Sequence, residues 1–299
     1  MPSVVLITGA ATGIGNLTAR ALAAAGHTVY ASMRDPQGHN AGHDRELLDT
    51  AERDGVALRV AELDVQSQDS CHAAVKTILD DAGQLDVVIN NAGHLYVGYT
   101  EAYTAEDIAR LFDINAIGAH RVNRAALPHM RARRSGTLLY VGSTIPVTTP
   151  PFLGPYVASK AAMDALAIVT MYEVGQFGIE TCIVMPGAFT QGTEHFPDAS
   201  HASDAAVTAA YSELDPLVAR NEAATASLFP PGVAQNPGAV ADEITRILTL
   251  PIGAKPLRSV VDLTDSGDHA VQTVNQVAQA AREKFVTRLG YGELLHLKH

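Results

Sequence analysis

The strongest constraint on how this chain can fold is a rhythm. Short apolar runs at 4–8, 28–33, 57–62, 87–90, 136–142 and 180–185 alternate with segments of helical pattern that begin near Ile14, Asp44, Asp69, Asp107, Asn115 and Tyr156. Runs such as Val87-Val88-Ile89 lack the apolar/polar alternation of a half-solvated strand, as expected when helices cover both faces of a sheet. Alternating β and α segments imply parallel strands joined by right-handed crossovers.

The pattern therefore predicts an α/β fold, a doubly wound parallel sheet of the Rossmann type, and 299 residues fit a single domain over 1–299. After 185 the rhythm breaks. Residues 187–236 are rich in Ala, Pro, Asp and Ser, with a weak helical pattern over 202–226. Long insertions in compact domains are usually functional or flexible. A helix over about 238–250 and a last strand at 259–262 follow. The extension 264–299 then carries a helical apolar stripe at Val271, Val274, Val277, Ala281 and Phe285.

Composition narrows the function classes. With 47% hydrophobic and 18% charged residues the chain can bury a large core and is not disordered. A net charge of −11 disfavours nucleic acid, whose phosphates need a basic face. Cys71 and Cys182 are far apart and read as small buried hydrophobes. The first strand follows Met1-Pro2 with no basic leader, and no apolar run is long enough for a bilayer. A cytoplasmic protein with no nucleic-acid or membrane partner is the expectation.

Thr8-Gly9-Ala10-Ala11-Thr12-Gly13-Ile14-Gly15 joins the first strand to the first helix. Glycines there allow a tight turn and a close approach of backbone to a pyrophosphate, while the helix N-terminus offers unpaired N–H groups. The spacing, with Leu63-Asp64-Val65, Asn90-Asn91-Ala92-Gly93, Asn115, Ser143, Tyr156-x-x-x-Lys160 and Pro186-Gly187 in order, resembles the short-chain dehydrogenase/reductase family over residues 3–190. Within it, the hydroxysteroid and retinol dehydrogenase-like subgroup is similar through Tyr30-Ala31-Ser32-Met33-Arg34-Asp35 and the long insertion.

Tyr-x-x-x-Lys alone is weak: this composition would give about 0.15 chance matches. Its setting adds weight. Pro155 is a helix-start signal, and positions four apart share a helix face, so Lys160 can lie near the Tyr156 hydroxyl. A neighbouring ammonium would lower the phenol pKa and suit Tyr156 to general acid–base work. Ser143 follows the strand at 136–142, on the carboxyl edge where ligands bind in such sheets.

The resemblance implies that Ser143 holds the substrate oxygen, that Lys160 also bonds the nicotinamide ribose, and that Asn115 holds a water behind it. It further implies a dinucleotide held by Thr8, Gly9, Thr12, Gly13, Ile14, Gly15, Asp64, Val65, Asn91, Ala92, Gly93, Pro186, Gly187, Phe189 and Thr190, besides Tyr156 and Lys160. Asp64 reads equally as a simple turn acid. Where relatives carry Thr five residues after the Pro, this chain has Gln191, preceded by Thr190.

Met33 stands where an acid would hydrogen-bond the adenosine 2′-hydroxyl, and Arg34 follows. Arg suits a 2′-phosphate and Ser32 would add a hydroxyl, so NADP(H) is favoured over NAD(H). Leu95, Tyr96, Ile145, Pro146, Val147, Phe152 and Leu153 predict an apolar pocket, closed by Phe189, Phe196, Tyr211, Leu214, Leu228 and Phe229. The 187–236 insertion reads as a lid over a hydrophobic carbonyl or alcohol substrate, or as a packed insertion with its own core. His94, His195 and His201 lack metal spacing and read as solvated loop residues, and no metal is expected. Apolar side chains nearly all round the helix from Tyr156 predict a homodimer or homotetramer, the alternative being a monomer with its tail helix packed there.

Overall fold

In the computed structural model, which describes residues 2–264 and 268–298, the strands β1 (Val4–Ile7), β2 (Thr28–Met33), β3 (Leu58–Glu62), β4 (Val87–Asn90), β5 (Gly136–Val141), β6 (Ile179–Pro186) and β7 (Arg258–Val261) form a seven-stranded sheet. The order is β3-β2-β1-β4-β5-β6-β7 and the pairings are parallel. Part of the extension expected at 264–299, residues 265–267 and 299, lies outside the described residues.

Successive residues of the inner strands serve opposite layers, which is why runs such as Val87-Val88-Ile89 showed no polar alternation. On one face Val5, Ile7, Ile89, Leu139 and Val184 pack with helices α1 (Gly13–Ala24) and α11 (Gly238–Thr249), through Leu22, Val240 and Ile244. On the other, Leu6, Val88, Leu138 and Ile183 meet Ile78 of α3 (Gln68–Ala82), Val122 of α5 (Gly118–Arg133) and Met163 of α7 (Gly154–Val174). Helix α2 (Ala41–Asp54) adds Leu47 to the first layer. Both cysteines are buried and free, as small hydrophobes would be.

Local chemistry sets the helix ends. Thr104 and Asp107 form a reciprocal capping box that starts α4 (Ala105–Phe112), with both bonds at 3.1 Å. The sequence suggested separate helices near Asp107 and Asn115. Instead α4 runs into α5 through a π-helical turn, Asp113–Ile117. Such turns often mark functional sites, and this one carries Asn115.

The 187–236 segment holds three short helices, α8 (Ala205–Ala210), α9 (Asp215–Val218) and α10 (Asn221–Ala226). Its stretch around Phe196–Ala202 packs on Leu95, Tyr96, Tyr103 and Leu153, and the Val97 N–H donates to the Ser200 carbonyl at 3.0 Å. A one-turn helix, α6 (Ile145–Thr148), precedes α7. The tail helix α12 (Asp268–Arg288) runs beside β7 and α6 and buries Val271. The rest of its expected apolar stripe faces outward, with Val277 66% and Phe285 64% exposed. Its inner face is mixed: Val271 joins the core, and Asn275 Nδ2 donates to Met185 Sδ at 3.2 Å. No helix among the described residues is long and apolar enough to cross a membrane.

Candidate active site

The strand order reverses at β1, which has β2 on one side and β4 on the other. Ligands of open α/β sheets bind beyond the strand ends at such a switch point. Here two loops meet there and are bonded together. The Thr8 hydroxyl accepts from the Asn91 and Ala92 N–H groups at 3.0 Å, and Asn91 Nδ2 donates to the Thr8 and Gly9 carbonyls at 2.9 Å. Gly9 has φ +63°, and a β-carbon on it would lie 2.8 Å from Ala92 Cα. One on Gly15 would lie 2.4 Å from Asn91 Nδ2. Thr12 makes no side-chain cap bond, and the first N–H groups of a helix have no intrahelical acceptor. A cradle that only glycines leave open, at an uncapped helix N-terminus, fits a dinucleotide pyrophosphate.

From this cradle a cleft of about 780 Å³ runs along the strand ends. Gly9, Thr12, Gly13, Ile14, Arg34, Asp64, Val65, Asn91, Ala92 and Gly93 line it, with Pro186, Gly187 and Phe189. Ser143, Tyr156 and Lys160 line it as well. Thr8 and Gly15 act from behind, Thr8 by bonding the two loops together and Gly15 by leaving room for the Asn91 amide.

Two expected contacts are spent elsewhere. The Ser32 side chain is fully buried and its hydroxyl donates to the Ile7 carbonyl at 2.9 Å, so it is not available to a 2′-phosphate. Ser32 lies within β2 and is covered by its neighbours, while Arg34, past the strand end, reaches the cleft. Thr190 gives its N–H and hydroxyl to Gln235 Oε1 at 2.9 and 3.0 Å and does not line the cleft.

The polar cluster is compact. Tyr156 sits in the first turn of α7, and Lys160, one turn on, donates through Nζ to the Val141 carbonyl at 3.1 Å. Ser143 Oγ accepts from the Ile145 N–H at 3.2 Å, and its own proton has no acceptor among the described residues. Asn115 lies one layer back and is buried. It accepts from His94 N at 2.8 Å and donates to the His94 carbonyl and to Ser159 Oγ, both at 2.9 Å. Asn115 Oδ1 and Lys160 Nζ are each 3.5 Å from the point a Gly93 β-carbon would occupy.

Residues 3–203 match the short chain dehydrogenase family. The chain belongs to that family. It is 35% identical to a 3-ketodihydrosphingosine reductase of Bacteroides thetaiotaomicron over 191 residues, 64% of this chain and 65% of that one. It is 33% identical to the 17-beta-hydroxysteroid dehydrogenase type 1 of Mus musculus over 193 residues, 62% of this chain and 54% of the relative. The chain thus spans less than two thirds of the length of these relatives. A solved short-chain dehydrogenase from Streptomyces avermitilis superposes with TM-score 0.71 at 27% identity, covering 97% of this chain and 98% of that one. An alcohol dehydrogenase from Thermococcus sibiricus shares the fold, with TM-score 0.68 at 23% identity over 87% of this chain and 96% of its own.

Electrostatics of the site differ from the sequence expectation for a family member. Burial dominates both groups: it pushes the Tyr156 phenol up from its ordinary value and the Lys160 ammonium down to about 8. Lys160 Nζ stands 6.0 Å from the Tyr156 ring centroid, over the ring rather than bonded to the hydroxyl. The expected lowering of the phenol by its neighbour is therefore not the leading effect.

Of the three histidines read as solvated loop residues, His201 is exposed in a loop, whereas His195 is drawn into the site. His94 Nε2 hydrogen-bonds Ser200 Oγ at 2.7 Å, and His201 Nδ1 meets the Val97 carbonyl at 2.9 Å. His195 is half-buried, with Nε2 3.1 Å from the Tyr156 hydroxyl. Thr193 was missed too: its Cβ lies 3.5 Å from the β-position of Gly13, and its buried Oγ1 has no partner among the described residues. Counting from Pro186 pointed to 190 and 191, whereas the path of the segment brings 193 to the glycine loop.

The buried ammonium has a stability signature. Between pH about 8 and the ordinary 10.5 the unfolded chain holds a proton at Lys160 that the native state lacks, so this group makes stability rise with pH in that window. Below it, the native state carries the full cost of the buried charge. Lys160→Met is expected to stabilise the ligand-free protein by on the order of 1–3 kcal/mol near neutral pH, net of the lost Val141 bond. That advantage should fade as pH rises through the window. Thermal melts of both proteins near pH 7 and pH 10 check it, and a variant less stable than wild type at pH 7 contradicts it.

Proposed function

We propose that the protein is an NADP(H)-dependent oxidoreductase acting on a hydrophobic ketone or secondary alcohol, with Tyr156 as general acid and base. The observation that carries this is the convergence of Ser143, Tyr156 and Lys160 on the cleft that begins at the glycine cradle. A bound nicotinamide supplies or accepts the hydride at the carbonyl carbon. Tyr156, held protonated by burial, donates its proton to the carbonyl oxygen in reduction and recovers it in oxidation. The Ser143 proton stabilises that oxygen as negative charge builds. Lys160 places positive charge under the tyrosine ring and favours the phenolate once the proton has left. Asn115 fixes the His94 backbone and with it the path of the loop at Gly93.

Support for NADP(H) comes from charge. Arg34 is exposed at the cleft, whereas the neighbouring Asp35 carboxylate accepts from the His39 N–H at 2.8 Å and closes its own turn. Arg34→Asp should shift the NADPH-over-NADH ratio of kcat/KM by about 10- to 100-fold, the worth of charge-assisted hydrogen bonds to phosphate. Steady-state rates with both cofactors test it, and an unchanged ratio rejects NADP(H) selection by Arg34.

The substrate reading rests on the cleft's far end, where Leu95, Ile145, Leu153, Phe189, Phe196 and Leu228 present apolar surface. The names of relatives speak of a ketodihydrosphingosine, an estradiol, a retinol and cyclopentanol. We take residues 187–236 as the lid of this pocket and 264–299 as an extension outside it. The proposal includes a homodimer or homotetramer through the α5/α7 face, where Leu166 and Val169 remain exposed. A panel of bulky ketones with NADPH, followed by cofactor absorbance, tests the activity. No turnover across the panel would overturn it.

A further inference from the structure

One contact in the cleft is used by none of the chemistry above. Among the described residues, the Tyr156 hydroxyl hydrogen-bonds to His195 Nε2 at 3.1 Å and to neither Ser143 nor Lys160. The two rings meet edge-on, with centroids 5.4 Å apart and planes inclined by 62°. The histidine arrives from 39 residues away, on the segment that crosses the cleft. That segment is tied down on both sides. Thr193 lies on Gly13, Phe196 packs in the cluster of Tyr96, Tyr103 and Leu153, and Ser200 bonds the His94 ring. Ser203 gives its N–H and hydroxyl to Asp107 on α4, at 3.2 and 2.5 Å.

A hydroxyl has one proton to give. A carbonyl that is to receive it must come within about 2.6–3.2 Å of the same oxygen, the range that His195 Nε2 already occupies. Burial, then the nearby Lys160 ammonium, then His94, push His195 down to about 3, so its ring is neutral at ordinary pH. A neutral imidazole has one nitrogen free to accept. With the ring proton on Nδ1 both partners are matched: a phenol that keeps its proton and an Nε2 that takes a hydrogen bond without taking the charge.

We propose that His195 is a latch: it competes with the substrate's oxygen for the Tyr156 hydroxyl, and so sets the threshold that a ketone must exceed to bind. The inference rests on Tyr156 being the proton donor. It makes His195 a positioning residue rather than a catalytic one. The cost is the same for every ketone, so it weighs most on those with little apolar surface to bury under the lid. The apparent affinity of every substrate is lowered by the fraction of protein in the latched state.

Two measurements test this separately from the proposed activity. In the first, His195→Ala should lower KM for small ketones by about twofold to tenfold, the worth of one neutral hydrogen bond, without loss of kcat. His195→Gln, which keeps an acceptor, should restore KM toward the wild-type value. A raised or unchanged KM, or a fall in kcat, overturns the latch. In the second, amide hydrogen exchange of residues 193–199 is followed in the protein without substrate. It should be about twofold to tenfold faster in both His195→Ala and Tyr156→Phe than in wild type. Exchange unaffected by Tyr156→Phe overturns the contact itself. If wild type reduces no ketone, the activity reading fails, while the exchange result still decides whether His195 is held by Tyr156.

Discussion

Replacing Tyr156 by Phe should lower kcat for ketone reduction by about 10²- to 10⁴-fold, the usual contribution of a positioned general acid. The ring would stay where it is, in the cluster with Leu95, Leu111 and Leu153, so the pocket keeps its shape. The cradle residues Gly9, Gly13 and Asn91 are untouched, and NADPH affinity should hold within about twofold. That split between lost turnover and kept cofactor binding separates a missing proton from a damaged site. Stopped-flow reduction, with NADPH fluorescence titration beside it, gives both numbers. A variant within a few-fold of wild type would move the acid elsewhere in the cleft. No other titratable side chain there is as well placed: His195 is held near 3, too low to donate effectively at neutral pH.

The sheet was legible because its signal is local. A run such as Val87-Val88-Ile89 between two helical patterns has one physical solution, a strand covered on both faces, and six of the seven strands announced themselves in this way. The catalytic cluster was legible for a related reason. Lys160 is one helical turn from Tyr156, and Ser143 stands at the end of the adjoining strand, so short-range geometry brings them together.

What escaped the sequence depends on where long segments cross in space. His195 looked like a solvated loop residue because nothing near it in the chain offers it a partner; the partner is on α7. Ser32 looked like a phosphate ligand because Arg34 follows it two residues on, but its hydroxyl is buried within the sheet and bonded to the Ile7 carbonyl of the neighbouring strand. The tail helix misled through its periodicity. Val274, Val277, Ala281 and Phe285 do share a face, yet that face points outward while Asn275 and Val271 meet the body. Periodicity identifies a stripe and is silent on what covers it.

Substituting Gly9 by Ala should raise the dissociation constant for NADPH more than tenfold and lower the melting temperature. Two costs combine. An L-residue at φ +63° carries about 1–2 kcal/mol of left-handed strain, and the new β-carbon would lie 2.8 Å from Ala92 Cα. That neighbour is backbone, so no rotamer relieves it. Nor can the two loops simply part, because Thr8 and Asn91 bond them together across the same gap. Whatever yields, either the glycine turn or the end of β4 moves, and both line the cradle. Gly26→Ala is the matched control. Gly26 also has positive φ, +91°, but a β-carbon there meets nothing within 4 Å and the residue is far from the cleft. It should show the loss of stability without the loss of binding. Isothermal titration with NADPH and a thermal melt on each variant separate the two. Equal loss of binding in both would mean that the cradle responds to general destabilisation, and full binding in Gly9→Ala would mean that the pyrophosphate is not held at this loop.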